Sequence, residues 1–271
     1  VNANDIAAMG ATPRYFLASI ILPESQATEA LVESVFASIH SAATELGITV
    51  CGGHTEITHG IDRPLVIGQM LGEASPDRLV RSADLQPGDA LILTKGMAIE
   101  ATAIIARERR RLLLDRGLGA ELLDRCAGFL TDPGISVVRD ARLATAAGTV
   151  RAMHDPTEGG IATALQELAT AAGVGLVVES ELLPLAPEAE RLCAEFELDP
   201  LGVISSGALL IGCEPADSGR IVTALQESGI AAARIGSAVH PDQGLSLIRD
   251  GDRVPLPAFP ADEITRIFRG T

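Results

Sequence analysis

MHDPTEGGIATALQELA, residues 153–169, is the stretch on which the reading turns. Asp155 fits an N-cap, Pro156 the first helical position and Glu158 the third, a capping-box pattern with proline where it is favoured. Ile161, Ala164, Leu165, Leu168 and Ala172 then fall on one face, which predicts a buried amphipathic helix over 161–172. Capping alone does not call for Gly159-Gly160, since each glycine weakens a helix by about 1 kcal/mol relative to alanine. Paired glycines at a helix N-terminus do suit close approach of a phosphate, and the helix dipole adds to the attraction. Thr157, Gly159 and Gly160 are therefore candidate phosphate contacts.

Three other segments carry similar double readings. VNANDIAAMGATP (1–13) predicts a short helix ended by Gly10, with Asn2 as cap and Asp5 at its third position. CGGHTE (51–56) reads as a strand running into a glycine turn, where Gly52 and Gly53 could let backbone amides approach an anion. His54 and Glu56, two residues apart, share a face if the chain stays extended. DPLGVISSG (199–207) is a polar turn before the apolar run ALLIGC.

Around these, Glu24–Leu46 reads as a helix with Leu31, Val35, Ile39, Ala42 and Leu46 on one face, stopped by Gly47. Ile48–Cys51 and Pro64–Gly72 are strand candidates. The Pro-Gly pair within Ser82–Asp89 marks a domain boundary, giving an N-terminal domain of residues 1–85 and a C-terminal one of 86–271. In the second, strands at Ala90–Thr94, Thr149–Met153, Val174–Glu179, Ala208–Cys213 and Ala233–Ser237 alternate with helices. The helices are expected at Ala98–Leu114, Ala120–Leu130, Ile135–Ala146, Ile161–Ala172, Glu188–Glu197 and Asp217–Ser228. That alternation predicts an α/β layered domain.

Composition narrows the function classes. Of 271 residues nearly half are apolar, enough for a sizeable core, and none of the apolar runs reads as a membrane span. Thirty-six acidic against 21 basic residues leave a net charge of −15. With no tryptophan and one tyrosine, there is no basic, aromatic-laced stripe for nucleic acid. A nucleotide can still bind such a chain where Mg²⁺ bridges carboxylates to phosphates. Cys51, Cys126, Cys193 and Cys213 form no CxxC pair, which points to reduced thiols and a cytoplasmic protein. No signal peptide is visible, and Val1 falls within a motif, so a preceding segment is expected.

Taken in order and spacing, these segments resemble the aminoimidazole ribonucleotide (AIR) synthetase superfamily. VNANDIAAMGATP is similar to that family's VNDLAxMGA segment and CGGHTE to its GGDT, GGET or GGHS turn. LQPGDALILTKG (85–96) resembles the start of its C-terminal domain. MHDPTEGGIATALQELA resembles DxTRGGLAxxLNEIA, and DPLGVISSGALLI resembles DPLxLASEGxLL, both from the family's HypE-type members. The resemblance runs from Val1 to Cys213. It implies a two-domain α/β (α+β) fold, with an N-terminal barrel-forming domain that builds a homodimer and an α/β layered C-terminal domain. It further implies ATP and Mg²⁺, with Asp5 and Asp155 as metal ligands and Gly52 and Gly53 behind the phosphates. His54 stands where relatives have aspartate, and Glu56 could supply the missing carboxylate.

The resemblance also implies an activity: an ATP-dependent enzyme that activates a carbonyl, amide or carboxylate oxygen by phosphoryl transfer. The substrate would be a small molecule or carrier-bound, with a hydrogenase-maturation protein as a candidate partner and no nucleic acid or membrane. The departures bear on the substrate. The upstream Asp-Asp segment is not in this chain, Ser206 and Glu158 replace the family's Glu and Arg, and no cysteine follows Cys213. HypE-type chemistry on a terminal cysteine of its own is thus not expected. The alternative is a nucleotide-binding accessory or scaffold protein in metallocentre assembly, without turnover.

Overall fold

The computed structural model describes residues 1–268 and separates into two units. One comprises Gly10–Leu79 together with Asn2; the other comprises Val1, Ala3–Met9 and the chain from Val80 onward.

The smaller unit is an open three-stranded sheet in the order β2-β1-β3. Its central strand β1 (Thr12–Pro23) pairs in parallel with β2 (Thr49–Thr58) and antiparallel with β3 (Leu65–Glu73). Ala18, Ile20 and Leu22 alternate onto one face and are buried. Helix α2 (Glu29–Leu46) covers that face with Leu31, Val35 and Ile39. Thr28 caps the helix and Gly47 ends it in the left-handed region. The expected face continues at Ala43, which is buried, rather than Ala42. On the other face, Tyr15, Leu65, Ile67 and Leu71 stand exposed at paired register positions. Among the described residues the sheet does not close into a barrel.

The larger unit is built on a seven-stranded sheet in the order β10-β9-β6-β8-β4-β7-β5. Its strands are β4 (Ala90–Thr94), β5 (Val150–His154), β6 (Gly175–Glu179), β7 (Leu210–Cys213), β8 (Ala232–Val239), β9 (Leu245–Arg249) and β10 (Asp252–Pro255). All pairings are antiparallel except β6 with β9. β4 is buried throughout, as a strand covered on both faces must be. Leu91 and Leu93 join a core with α3 (Ile99–Glu108), α5 (Ala120–Ala127), α7 (Gly160–Ala172) and α8 (Pro187–Glu195). Ala90 and Ile92 join a second core with α1 (Asn2–Ala8), α6 (Val138–Ala147) and α9 (Pro215–Glu227). The helix expected over 98–114 breaks at Arg109 into α3 and α4 (Arg110–Asp115). No helix among the described residues is long and apolar enough to cross a membrane. Cys51, Cys126, Cys193 and Cys213 are free thiols.

Candidate functional site

β5 ends at His154, and Asp155 follows directly. The capping-box reading fails here: α7 begins at Gly160, and its N-cap is Gly159 at φ +77. Asp155 stands five residues ahead of the helix with no capping duty. It is 9% exposed, and its Oδ2 is buried without a hydrogen-bond partner. Burial, and then the charge of Asp5, push its carboxyl above the ordinary value of 3.8. Next to it, His154 Nε2 lies 2.8 Å from Glu167 on α7, tying the end of β5 to that helix.

Asp5 reaches this position on α1, and the reason is its neighbour. Asn4 is 1% exposed, and its amide donates to the Ile135 carbonyl (2.8 Å) while its Oδ1 accepts from the Val137 amide (2.9 Å). The expected cap Asn2 makes no side-chain capping bond; Val1 is the N-cap. The loop that Asn4 grips is itself held. Lys95 Nζ donates to the carbonyls of Ser136 (2.6 Å) and Gly134 (3.3 Å), and Asp140 lies 3.3 Å away. Thr94 Oγ1 donates to Asp140 and accepts from the Leu209 amide. Burial lowers the Lys95 ammonium's pKa, and Asp140 opposes that shift. Asp5 keeps solvent access, yet its partial enclosure raises its carboxyl too.

The glycines answer to closer neighbours than a ligand. A side chain at Gly160 would meet the carbonyls of Leu201 and Val203 at 2.5 Å, so glycine is needed for packing against that turn. Its amide donates to Thr157 O (3.1 Å), and the Gly159 amide donates to Asp262 (2.8 Å). CGGHTE is not a strand-ending turn, because β2 runs straight through it. Gly53 instead permits the backbone to approach Ala18 of β1, whose carbonyl a Cβ would strike. Extended backbone does place His54 and Glu56 together, at 3.2 Å and exposed.

Asp5 and Asp155 are thus brought together, whereas Gly52, Gly53, His54 and Glu56 lie in the smaller unit. No group of three or more His, Cys, Asp or Glu among the described residues could hold a metal alone. A carboxylate pair with one buried, unpartnered oxygen fits Mg²⁺, which is held by one or two carboxylates and completed by phosphate oxygens and water. No sequence motif singles out Asn4 or Asp262 as a site residue. An asparagine inside a helix is a weak signal, because its propensity there is poor. Asp262 lies beyond every motif.

Models of the AIR synthase related protein family match residues 1–74 (N-terminal domain) and 86–247 (C-terminal domain). The chain is 32% identical over 245 residues to the carbamoyl dehydratase HypE of Cupriavidus necator, covering 88% of this chain and 65% of that protein. It is 30% identical over 242 residues to the Escherichia coli K12 carbamoyl dehydratase HypE, covering 88% and 68%. A crystal structure of hydrogenase maturation protein HypE in complex with ATP superposes with a TM-score of 0.81 at 25% identity, covering 97% of this chain and 78% of that one.

Proposed function

From the chain's membership of the AIR synthase related protein family, we propose that it is an ATP-dependent enzyme activating a carbonyl, amide or carboxylate oxygen by phosphoryl transfer. The observation that carries this is the Asp5–Asp155 pair, with its orphaned Asp155 oxygen, an Asp155 carboxyl raised by burial and by Asp5, and an Asp5 carboxyl raised by its own enclosure. Two like charges held together without a cation are costly, and a Mg-nucleotide relieves that cost. The ATP in the similar HypE structure supports the nucleotide. Bound Mg²⁺ would offset the charge that develops as a γ-phosphate transfers. Asn4 holds Asp5 in place, and the His154–Glu167 pair fixes the backbone next to Asp155.

Thr157, Gly159 and Gly160 stay in this reading as phosphate contacts of the larger unit, and Gly52 and Gly53 stay as candidate contacts of the smaller one. At Gly159 a phosphate has to compete with Asp262 for the amide. Glu56 is the better Mg²⁺ ligand of the His54–Glu56 pair, since Mg²⁺ prefers oxygen. The domains divide as 1–85 and 86–271. The exposed face of Tyr15, Leu65, Ile67 and Leu71 is assigned to a homodimer. The place of action is the cytoplasm, and hydrogenase maturation is the setting, by analogy with the HypE relatives. A maturation protein is then the candidate partner, and the substrate is free or carried by it.

One observation favours a second reading, a nucleotide-binding scaffold without turnover: the chain's own Asp262 already occupies the Gly159 amide. The test is incubation of the protein with Mg-ATP and a panel of carboxylates, amides and carbamoyl donors, measuring ADP, AMP and phosphate. Product formation with one acceptor class supports the enzyme. Mg-ATP binding with no product from any acceptor supports the scaffold.

A further inference from the structure

Asp155 is not alone in having a stranded oxygen. Among the described residues two buried side-chain oxygens lack a hydrogen-bond partner, Asp155 Oδ2 and Glu100 Oε2. Glu100 is the second residue of α3. A carboxylate in a helix's first turn gains from the dipole, but it gains that just as well when hydrated. Burying an oxygen without a donor costs stability and brings no structural return. Lys95, in the same β4–α3 connection, is committed to Ser136, Gly134 and Asp140.

The two stranded carboxylates flank one turn. The Ala98 amide donates to Ser205 Oγ (3.0 Å), and the Ala101 amide donates to the Ile204 carbonyl (3.3 Å), so Glu100's stretch of chain is pinned to residues 204–205. The Ser205 amide donates to the Thr157 carbonyl (3.3 Å), which pins the loop after Asp155 to the same serine. Gly207, two residues on at φ +107, would strike Gly134 O, Ile135 and Ile99 if it carried a Cβ. Ile135 is in turn the residue that Asn4 grips beside Asp5. Glu100 nevertheless forms no three-carboxylate cluster with Asp5 and Asp155. It is therefore not a third ligand of an ion held by that pair, and its oxygen calls for a different donor.

We infer that Glu100 recognises the acceptor substrate, through a hydrogen bond from a cationic or N–H-bearing nitrogen to its stranded carboxylate oxygen. The inference rests on the phosphoryl-transfer reading for placing the acceptor next to Asp155. It adds the class of acceptor: a compound with an amine, amidine or carboxamide nitrogen near the oxygen that is activated. Cationic members would bind a carboxylate more tightly than neutral ones, because a charge-assisted bond is stronger than a neutral one.

The test titrates the whole chain by calorimetry, without nucleotide, using agmatine, n-butylammonium and propionamide, with butyrate as the anionic control. The expected result is binding of at least one nitrogen probe, none of butyrate, and a loss of tenfold or more in Glu100→Gln. That variant should also melt at or above the wild-type temperature, since the carboxylate oxygen it replaces has no donor in the fold to lose. A lower melting temperature would make Glu100 structural and overturn the inference. So would a panel that binds both proteins equally, or neither. Mg-ATP is titrated separately: failure of the wild type to bind it sinks the phosphoryl-transfer reading and leaves the probe result standing by itself. An equal loss of Mg-ATP affinity in Glu100→Gln would move the residue to the nucleotide and overturn its assignment to the acceptor.

Discussion

Asn4→Ala probes the scaffold beneath the proposed metal site. The substitution deletes both bonds that hold α1 to the 135–137 loop. Val137 is fully buried, so its amide loses its acceptor with no water to replace it. A stranded buried donor costs about 1–3 kcal/mol, and the bond lost to the part-buried Ile135 carbonyl about 0.5–1.5 kcal/mol. The sum is roughly 2–4 kcal/mol. In a unit of this size that corresponds to a fall in Tm of roughly 5–15 °C if α1 unfolds with the rest. If α1 detaches alone, the Val137 amide is the local reporter, and its hydrogen exchange should accelerate about 30- to 1000-fold. Either way Asp5 loses its fixed position, so Mg-ATP affinity should drop. The assay is thermal unfolding beside exchange mass spectrometry on the peptide containing Val137. A Tm within about 2 °C of wild type together with unchanged exchange would refute the claim that Asn4 holds the site.

Two further outcomes follow from the same geometry. Asp5 and Asp155 titrate above the ordinary 3.8, so the folded state binds their protons more tightly than the unfolded chain. Their contribution to stability is full below that value and is lost as pH rises through the raised folded values, while Mg²⁺ affinity increases over the same window. Denaturant titrations from about pH 4 to 7, with and without Mg²⁺, check both signs; apo stability that rises from this pair as it ionises would contradict them. Light scattering at tens of micromolar should show a homodimer, and Ile67→Lys, at a residue 59% exposed on the open sheet face, should give a folded monomer. A wild-type chain that is monomeric throughout would remove the dimer.

The larger unit was legible because its strands are short apolar runs and its helices carry a clear 3.6-residue pattern. β4 and α7 lie almost where the residues put them. β1 was not read as a strand. Its buried positions Ala18, Ile20 and Leu22 alternate with residues that face away from α2, and Pro13 and Arg14 stand at its second and third positions. CGGHTE was misread as a turn because two glycines look alike whether they turn a chain or let two strands approach. Only the partner strand, with Ala18 opposite Gly53, distinguishes the two. A similar ambiguity misplaces the cap of α7: Asp155, Pro156 and Glu158 satisfy a capping box on spacing, but left-handed backbone at Gly159 and Gly160 puts the N-cap at Gly159. Asp5 and Asp155 were found as separate motifs, about 150 positions apart. Their meeting depends on Asn4 and the Lys95–Asp140 pair, tertiary contacts that no local pattern encodes.

The central claim is that Asp155 exists to hold a cation against a nucleotide, and calorimetry of Mg-ATP on wild type and Asp155→Asn tests it most directly. Asp155 is no helix cap, and one of its oxygens is stranded beside another carboxylate, so the neutral variant should be at least as stable as wild type. Yet a hard cation loses a carboxylate, so Mg²⁺-dependent ATP affinity should fall by more than about tenfold. A folded Asp155→Asn that binds Mg-ATP as tightly as wild type, with the same metal dependence, would contradict the account.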